Sequence, residues 1–341
     1  MGENYAMKKN KIGMIGSGSW ATAIVKILLE RAGREVNWWV RSDETYEKII
    51  AEGRNPRHLH EARLDATRLH VSTDLQQVIA DSTYLLLAVP SAYLHEVLKS
   101  LPREAFQGKK LISAIKGTIP DCCLSVSMYL REYFGVSRDA ICVVSGPSHA
   151  EEVCREMPTF LTLASSNIVL ANEMACMLRC SYLHTTTTTD IDGVERCGLG
   201  KNIYAIAAGL CQGLDYGDNL NAVLTAAAMR EMHNLLDHSM PCPDRNIYDN
   251  YYMGDLVVTC WSHHSRNRAL GEAVARGEKP EEVFASTGSV AEGYYSVKNL
   301  HQLACDYGIQ HVVPIAEAVY SILYEGADPK STVKHLIDTV F

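Results

Sequence analysis

The chain has 341 residues, of which 47% are hydrophobic and 21% charged. That composition supports a sizeable core and, at about 150 residues per domain, about two domains, so it excludes a disordered or collagen-like chain. The net charge of −8 argues against a broad basic surface for nucleic acid or anionic membrane, although one small anion in a local pocket remains compatible with it.

The first half of the chain alternates between short apolar runs and helical patterns. A helix is predicted from Trp20 to about Arg31, and strands are predicted at 11–15, 35–40, 83–89, 111–115 and 141–144. This alternation is typical of a Rossmann-like doubly wound α/β sheet. The segments 160–164 and 185–189 are candidate edge strands.

After residue 190 the pattern becomes helical. Ala-rich stretches with helical spacing and few β-branched runs cover 202–210, 222–236, 271–276, 290–303 and 315–324. Residues 237–254 form an irregular segment rich in Pro, Asp, Asn and Tyr. The expected architecture is an α/β domain over residues 1–190 followed by an all-α C-terminal domain over 191–341.

The cysteines indicate the compartment. Eleven of them, an odd count without any CxxC pair, predict reduced thiols in a cytoplasmic protein. Residues 1–13 lack the apolar segment of a signal peptide, and no apolar run approaches the ~20 residues of a membrane-spanning helix. His58 with His60, and His263 with His264, lack a third ligand at a recognisable spacing, so no metal site is predicted.

A glycine-rich turn follows the first strand and opens the first helix. Residues 16–21 read GSGSWA, which fits the GxGxxG/A dinucleotide fingerprint in the context that it requires. Gly16 permits the tight turn, Gly18 lets a pyrophosphate approach the backbone, and the helix N-terminus attracts the anion. Ser19 and Trp20 are then predicted cofactor contacts. A glycine-rich turn without a ligand is the alternative.

The second strand ends without the acid that usually binds the ribose 2′-OH. Arg41 and Ser42 stand there instead and can receive a 2′-phosphate. We therefore predict that NADPH is used, alone or alongside NADH. A solvated surface Arg41 is the alternative.

Further motifs make the identification specific. They are SAIKG at 113–117, GPSHA at 146–150, GKN at 200–202, GDL at 254–256 with Thr259 and Cys260, SRNR at 265–268 and VAEG at 290–293. In this order and spacing the set resembles the NAD(P)-dependent glycerol-3-phosphate dehydrogenases, the bacterial type in particular, from about Ile12 to about Gly326. The resemblance implies interconversion of glycerol 3-phosphate and dihydroxyacetone phosphate with NAD(H) or NADP(H), in a homodimer that feeds glycerophospholipid synthesis.

Lys201 stands in a nearly apolar stretch, CGLGKNIYAIAAGL, so we expect it to be partly buried. Burial disfavours the charged amine and brings it within reach of proton transfer, whereas a snorkelling lysine is the alternative. The resemblance implies that Lys201 exchanges the proton at the substrate C2 oxygen, with Asn202 positioning substrate and Asp255 lying nearby. From the sequence alone, Asp255 can equally be an ordinary helix N-cap.

Two glycines precede the lysine, Gly198 and Gly200, and each costs a helix ~1 kcal/mol relative to Ala. Close approach of a nicotinamide ring or substrate to the backbone would explain them. Lys116 follows the predicted strand 111–115, and ligands of open parallel sheets collect at the carboxyl ends of strands. The resemblance places Lys116 in the active site.

Ser265 is predicted to cap a helix that Gly277 ends. A helix N-terminus with an Arg fork is a ready phosphate site. The resemblance assigns the substrate phosphate to Arg266 and Asn267, and Arg268 is interpreted as a surface residue.

The resemblance also supplies the remaining residues of the predicted site. His149 stands where the family is expected to have an aromatic residue, and we interpret it as a packing or surface residue. The catalytic residues are Lys201, Asp255 and Lys116; the cofactor contacts are Gly16, Gly18, Ser19, Trp20, Arg41, Lys116, Ala150, Arg266, Val290 and Glu292; and the substrate contacts are Lys116, Gly146, Ser148, Lys201, Asn202, Asp255, Thr259, Ser265, Arg266 and Asn267.

Two alternative functions remain at this level. Another two-domain NAD(P)-dependent hydroxyacid or sugar-acid dehydrogenase is the nearest, and the SRNR segment argues against it because such substrates need no phosphate site. A dinucleotide sensor without turnover belongs to a different class. The set Lys116, Lys201 and Asp255 argues against a sensor, which needs no buried proton donor.

Overall fold

The computed structural model of the chain describes residues 11–288 and 290–341. Residues 1–10, part of the segment that lacks a signal-peptide pattern, lie outside the described residues. The chain forms two compact units. The first runs up to Ile115 and resumes over Val126–Ile191, and the second comprises Lys116–Ser125 and Asp192–Phe341. Among the described residues, no helix has both the length and the apolar character needed to span a membrane.

The first unit is built on an eight-stranded sheet, whereas strands β6 (Thr118–Ile119) and β7 (Leu124–Ser125) form a separate hairpin. Its strands are β1 (Ile12–Ile15), β2 (Val36–Trp39), β3 (Leu69–Ser72), β4 (Tyr84–Leu87), β5 (Lys110–Ser113), β8 (Ile141–Ser145), β9 (Thr159–Ala164) and β10 (Leu183–Thr188). Their spatial order is β3-β2-β1-β4-β5-β8-β9-β10. All neighbours pair in parallel except β8 with β9.

Helices connect these strands, which confirms the predicted doubly wound α/β class. They are α1 (Ser19–Leu29), α2 (Asp43–Glu52), α3 (Leu75–Ala80), α4 (Ser91–Leu98), α5 (Val126–Phe134), α6 (Ala150–Cys154) and α7 (Ile168–Leu178). The prediction of two edge strands at 160–164 and 185–189 is wrong in part: β9 pairs on both sides, and of these two strands only β10 lies at an edge of the sheet. Leu161 and Leu163 of β9 are almost fully buried, as suits an interior strand.

The second unit is mostly helical, as predicted. Its helices are α8 (Ile191–Gly213), which starts at the boundary, α9 (Gly217–Ser239), α10 (Asp255–Trp261), α11 (Arg266–Ala275), α12 (Pro280–Thr287), α13 (Glu292–Tyr307), α14 (Pro314–Tyr324) and α15 (Pro329–Thr339). Residues 201–210 of α8 are all buried. A Cβ added to Gly209 would lie 2.0 Å from the carbonyl oxygen of Arg268, so this glycine allows α8 and α11 to touch through their backbones.

A short hairpin from the N-terminal half also belongs to the second unit. Its strands, β6 (Thr118–Ile119) and β7 (Leu124–Ser125), pair antiparallel. Asn299 of α13 donates a hydrogen bond to the Thr118 hydroxyl, and the Ser125 hydroxyl donates to Glu195 of α8 over 2.9 Å. These bonds tie the hairpin, and with it the neighbouring Lys116, to the helices of the second unit.

The segment predicted to be irregular, 237–254, is irregular only in its middle. Helix α9 continues to Ser239, and residues Asn250–Gly254 form a π-helical turn that runs directly into α10. Arg245, in the irregular part, donates from Nε to the buried Tyr252 hydroxyl over 3.1 Å. The Pro and Asn content correctly indicated a break between two helices but not how far each helix extends into it.

Candidate active site

A buried ion-pair cluster joins the three predicted catalytic residues within the second unit. The ammonium group of Lys201, on α8, contacts Oδ1 of Asp255, the first residue of α10. Nζ of Lys116 lies 3.2 Å from Oδ2 of the same carboxylate. The side chains of Lys201 and Asp255 are 4% and 2% exposed, whereas that of Lys116 is 21% exposed. One carboxylate therefore bridges a sealed cation and a cation that reaches solvent.

Burial and neighbouring charge shift the proton affinities of this cluster in a consistent way. Burial lowers the pKa of Lys201, the second positive charge of Lys116 lowers it further, and the carboxylate of Asp255 opposes both. Burial alone would raise the pKa of Asp255, but the two ammonium groups outweigh it and hold that pKa below its ordinary value. The carboxylate thus stays charged, and Lys201 gives up its proton more readily than an ordinary lysine.

Asp255 is not a helix N-cap, which was one of the two interpretations of its sequence context. Because the π-helical turn precedes it, Gly254 already has helical dihedral angles and no side chain caps the helix there. The Asp255 carboxylate does not cap the helix and instead contacts both lysines. The Thr259 hydroxyl, predicted to contact substrate, is buried and donates to the Asp255 carbonyl oxygen over 2.5 Å.

A chain of side-chain amides connects three of the predicted residues. The backbone N–H of Gly293 donates to Oδ1 of Asn267 over 2.8 Å, Nδ2 of Asn267 donates to Oδ1 of Asn202 over 3.0 Å, and Nδ2 of Asn202 donates to the Lys116 carbonyl over 2.7 Å. A backbone donor at one end and a backbone acceptor at the other fix the orientation of both amides. The chain holds the backbone of Lys116 against α8, α11 and α13.

The helix predicted to bind phosphate, α11, begins with a serine cap and an exposed arginine. Ser265 caps α11, as predicted, and accepts a hydrogen bond from Arg268 N–H over 3.3 Å. Arg266, the first residue of α11, is exposed and makes no hydrogen bond or ion pair within the described part of the chain. Its guanidinium and the free N–H groups beside it are available to an anion.

The interpretation of Arg268 as a surface residue is wrong. Its side chain is buried, donates to the Trp261 carbonyl over 2.6 Å and pairs with Glu272 at 3.0 Å. These contacts tie the start of α11 to the end of α10. Arg268 is therefore a structural residue, and Arg266, two positions earlier, is the exposed arginine of this segment.

The two glycines before Lys201 pack against protein. A Cβ on Gly200 would lie 2.8 Å from the methyl carbon of Met232, and a Cβ on Gly198 would lie 3.9 Å from Cα of Lys116. Helix packing, rather than the approach of a ligand, thus accounts for Gly200. The sequence interpretation also missed Cys197, a fully buried thiol on α8 whose pKa is raised first by burial and then by the charge of Asp255. Its apolar surroundings were visible in the sequence, but its proximity to the ion pair was not.

In the first unit, the glycine-rich turn fits a dinucleotide. Gly16 has φ of +123°, and a Cβ there would lie 2.5 Å from the Ala88 carbonyl oxygen, so the turn requires glycine. A Cβ on Gly18 would meet no atom within 4 Å, which leaves space for a pyrophosphate. The indole N–H of Trp20 is buried and has no hydrogen-bond partner among the described residues. An open cradle and an unpaired donor at a helix N-terminus are what a phosphate ligand needs.

Some polar side chains near this turn already make hydrogen bonds within the protein, and Arg41 does not within the described ranges. The Ser19 hydroxyl lies 3.4 Å from Nδ1 of His58. Ser42 caps α2 by accepting from Thr45 N–H over 3.3 Å, which occupies one lone pair of the hydroxyl proposed for a 2′-phosphate. Arg41 is exposed at the end of β2 without a hydrogen bond or ion pair in the described ranges.

The other predicted contacts fall at the ends of strands and helices. In the first unit, Gly146 follows β8 with φ of +117°, and the Ser148 hydroxyl donates to the Gly146 carbonyl over 2.9 Å. Ala150 is buried at the start of α6. In the second unit, Val290 and Glu292 are half-buried at the start of α13. Across residues 11–288 and 290–341, no three His, Cys, Asp or Glu side chains are grouped as metal ligands.

Comparison with known proteins agrees with this geometry. Residues 11–171 match the family model for the N-terminal part of NAD-dependent glycerol-3-phosphate dehydrogenase, and residues 190–334 match the model for its C-terminal part. The glycerol-3-phosphate dehydrogenase [NAD(P)+] of Chlorobium limicola is 36% identical over 327 residues, which is 96% of this chain and 97% of the relative. An enzyme of the same name from Salinibacter ruber is 35% identical over 96% of this chain and 95% of its own length.

A solved structure extends the similarity to the fold. The crystal structure of glycerol-3-phosphate dehydrogenase from Coxiella burnetii aligns with a TM-score of 0.88 at 31% identity, over 97% of this chain and 99% of that one. The alignment therefore covers both halves of the chain. The chain belongs to the NAD-dependent glycerol-3-phosphate dehydrogenase family.

Proposed function

We propose that the chain interconverts sn-glycerol 3-phosphate and dihydroxyacetone phosphate, with Lys201 as general acid and base. The observation that carries the proposal is the sealed contact of Lys201 with Asp255, which holds an amine of lowered pKa in a fixed position. When bound, the nicotinamide supplies or accepts the hydride at substrate C2. In the reducing direction Lys201 donates a proton to the C2 oxygen, and in the oxidising direction it removes the hydroxyl proton.

The neighbouring residues orient Lys201 and the substrate and balance the charge that develops during this step. Asp255 fixes the ammonium of Lys201 and keeps it available in its charged form, while Lys116 adds positive charge where the carbonyl oxygen becomes negative. Arg266 and the N-terminus of α11 hold the substrate phosphate, with Asn267 and Asn202 beside them. The dinucleotide lies on the Gly16 to Trp20 turn of the first unit.

The test of this function is the loss of reduced-nicotinamide absorbance on adding dihydroxyacetone phosphate, with NADPH and NADH compared. Turnover with dihydroxyacetone phosphate and none with 2-keto acids is expected. Turnover with a keto acid or sugar acid only would favour the alternative dehydrogenase, and cofactor binding without any turnover would favour a sensor.

Arg266→Ala is expected to raise KM for dihydroxyacetone phosphate and to lower kcat/KM about 10- to 100-fold, because a charge-assisted hydrogen bond contributes roughly 1.5–3 kcal/mol. Steady-state kinetics of the purified variant measure this. The matched control is Arg276→Ala, an exposed arginine just after the same helix. An equal loss with dihydroxyacetone, which has no phosphate, would contradict the assigned role.

Arg41→Ala is expected to lower the NADPH-to-NADH ratio of kcat/KM about 10-fold, because only NADPH carries the 2′-phosphate that this guanidinium can bind. The ratio is measured for wild type, Arg41→Ala and Arg63→Ala, the last being an exposed arginine of the same unit. An unchanged ratio in Arg41→Ala would show that Arg41 is only a solvated surface residue.

The proposal extends to the compartment, the oligomeric state and the metabolic role of the enzyme. A cytoplasmic homodimer that supplies glycerol 3-phosphate to phospholipid synthesis is consistent with the family and with eleven cysteines that are all free. Size-exclusion chromatography with light scattering measures the oligomeric state.

A further inference from the structure

A second cluster of reactive side chains lies in the second unit, on α13 and α14. Cys305 is exposed near the end of α13, and its Sγ lies 3.6 Å from Nε2 of His301, one helical turn earlier. Nδ1 of the same ring lies 2.9 and 3.1 Å from the two carboxylate oxygens of Glu317 on α14. Neither the dehydrogenase motifs nor the lysine cluster includes any of these three residues.

The position of the protons follows from the donors and acceptors. The ionised carboxylate of Glu317 can only accept, so Nδ1 of His301 carries a hydrogen. In the neutral ring, Nε2 is then left with a lone pair that faces the Cys305 thiol. Thiol, imidazole and carboxylate stand in the order that activates a nucleophile, with the base oriented by a third group.

The imidazole is held in place from its face as well as from its edge. Tyr320 of α14 stacks on it with ring centroids 3.7 Å apart and planes 6° from parallel. The side chains of His301 and Glu317 are only about one quarter exposed, at 24% and 25%. Gln310 donates from Nε2 to the Cys305 sulfur over 3.3 Å, and a donor there stabilises a thiolate.

Two features explain why the thiol needs this base. Cys305 lies at the C-terminal end of α13, where the helix dipole disfavours an anion, and the neighbouring Asp306 is an acid. The three side chains do not form a metal site. Glu317 contacts Nδ1 of the imidazole and Cys305 contacts Nε2, on the opposite side of the ring, so they cannot bind one ion together. The geometry therefore serves proton removal at the moment of attack.

We propose that Cys305 is a site of reversible thiol–disulfide exchange with a low-molecular-weight disulfide of the glutathione disulfide class. His301 accepts the Cys305 proton, and the thiolate attacks one sulfur of the disulfide. A new S–S bond forms at Cys305 while the original S–S bond breaks, and the departing thiolate takes the electron pair and a proton to leave as a free thiol. The disulfide is the oxidant, and one molecule of thiol is released for each protein modified.

The test measures modification cysteine by cysteine in the whole folded chain. The protein is incubated with glutathione disulfide, and the adduct at each cysteine is followed over time by peptide mass spectrometry. Cys305 should react at least ~10-fold faster than Cys176, which is also exposed, lies on α7 and has no histidine contact among the described residues. Dithiothreitol should restore the original mass. Equal rates for the two cysteines would overturn the proposal.

His301→Phe separates the base from the packing, because phenylalanine keeps the stack on Tyr320 but has no ring nitrogen. The Cys305 rate should fall to that of Cys176, and Glu317→Gln should give a smaller fall because the base loses only its orienting partner. A Cys305 rate that is unchanged in a His301→Phe variant with wild-type circular dichroism would overturn the proposal. If that variant does not fold, the comparison of Cys305 with Cys176 in the wild type still decides.

Discussion

Lys201→Ala is expected to lower kcat by about 10²–10⁴-fold, the range that a positioned general acid contributes, and to leave NADPH affinity unchanged. Proton donation to the C2 oxygen depends on this amine, whereas the dinucleotide turn belongs to the other unit of the chain. Steady-state kinetics measure kcat, and nicotinamide fluorescence titration measures cofactor affinity. Lys334→Ala, which removes an exposed lysine of the second unit, is the matched control.

The pH profile gives the same proposal a second readout. Because burial lowers the pKa of Lys201, its charged form disappears at a lower pH than that of an ordinary lysine. In the reducing direction kcat/KM should fall as pH rises through that pKa, and in the oxidising direction it should rise. Near-normal kcat in Lys201→Ala, or profiles with the same sign in both directions, would refute the assigned role.

The fold was predictable to the extent that it depends on local patterns. The run from Tyr84 to Val89 consists of aromatic and aliphatic residues because β4 is buried on both faces, and this pattern is visible without any tertiary information. The direction in which β9 pairs, and its interior position, depend on contacts with β8 and β10 that no local pattern encodes. Nor does any local pattern indicate that 116–125 joins the second unit, since side chains distant in sequence, such as Asn299, anchor it there.

The candidate site, like the fold, has features that local sequence patterns predict and features that only the fold reveals. Burial of Lys201 followed from the apolar residues around it, and capping by Ser265 followed from its residue type at a helix start. The family resemblance placed Lys116 in the active site and Asp255 near Lys201, but the contact of Lys116 with Asp255 was not predicted, because the two residues are far apart in sequence. The error at Arg268 has a related cause. A charged residue near a helix start is usually solvated, and only the fold places the Trp261 carbonyl and Glu272 around this one.

Asp255→Asn is expected to lower the free energy of unfolding by on the order of 3 kcal/mol and to abolish turnover, because it removes one partner of a buried ion pair and leaves the other unpaired. Lys201 is then buried without its counterion and beside the charge of Lys116. Denaturant unfolding at neutral pH measures the loss. In the wild type the pKa of Asp255 is lowered, so its contribution to stability is complete above the ordinary Asp value and is lost as the pH falls through the lowered one.

The double variant Asp255→Asn/Lys201→Met separates charge from shape in this prediction. Methionine fills much of the volume of lysine without a charge, so the double variant should regain much of the stability that Asp255→Asn loses. It should nevertheless remain inactive, because it lacks Lys201, the proposed general acid. Recovery of stability without activity is the signature of a cluster in which Asp255 offsets the burial of Lys201 and Lys201 performs the chemistry. A single Asp255→Asn variant as stable as the wild type would instead show that the buried pair does not form in solution.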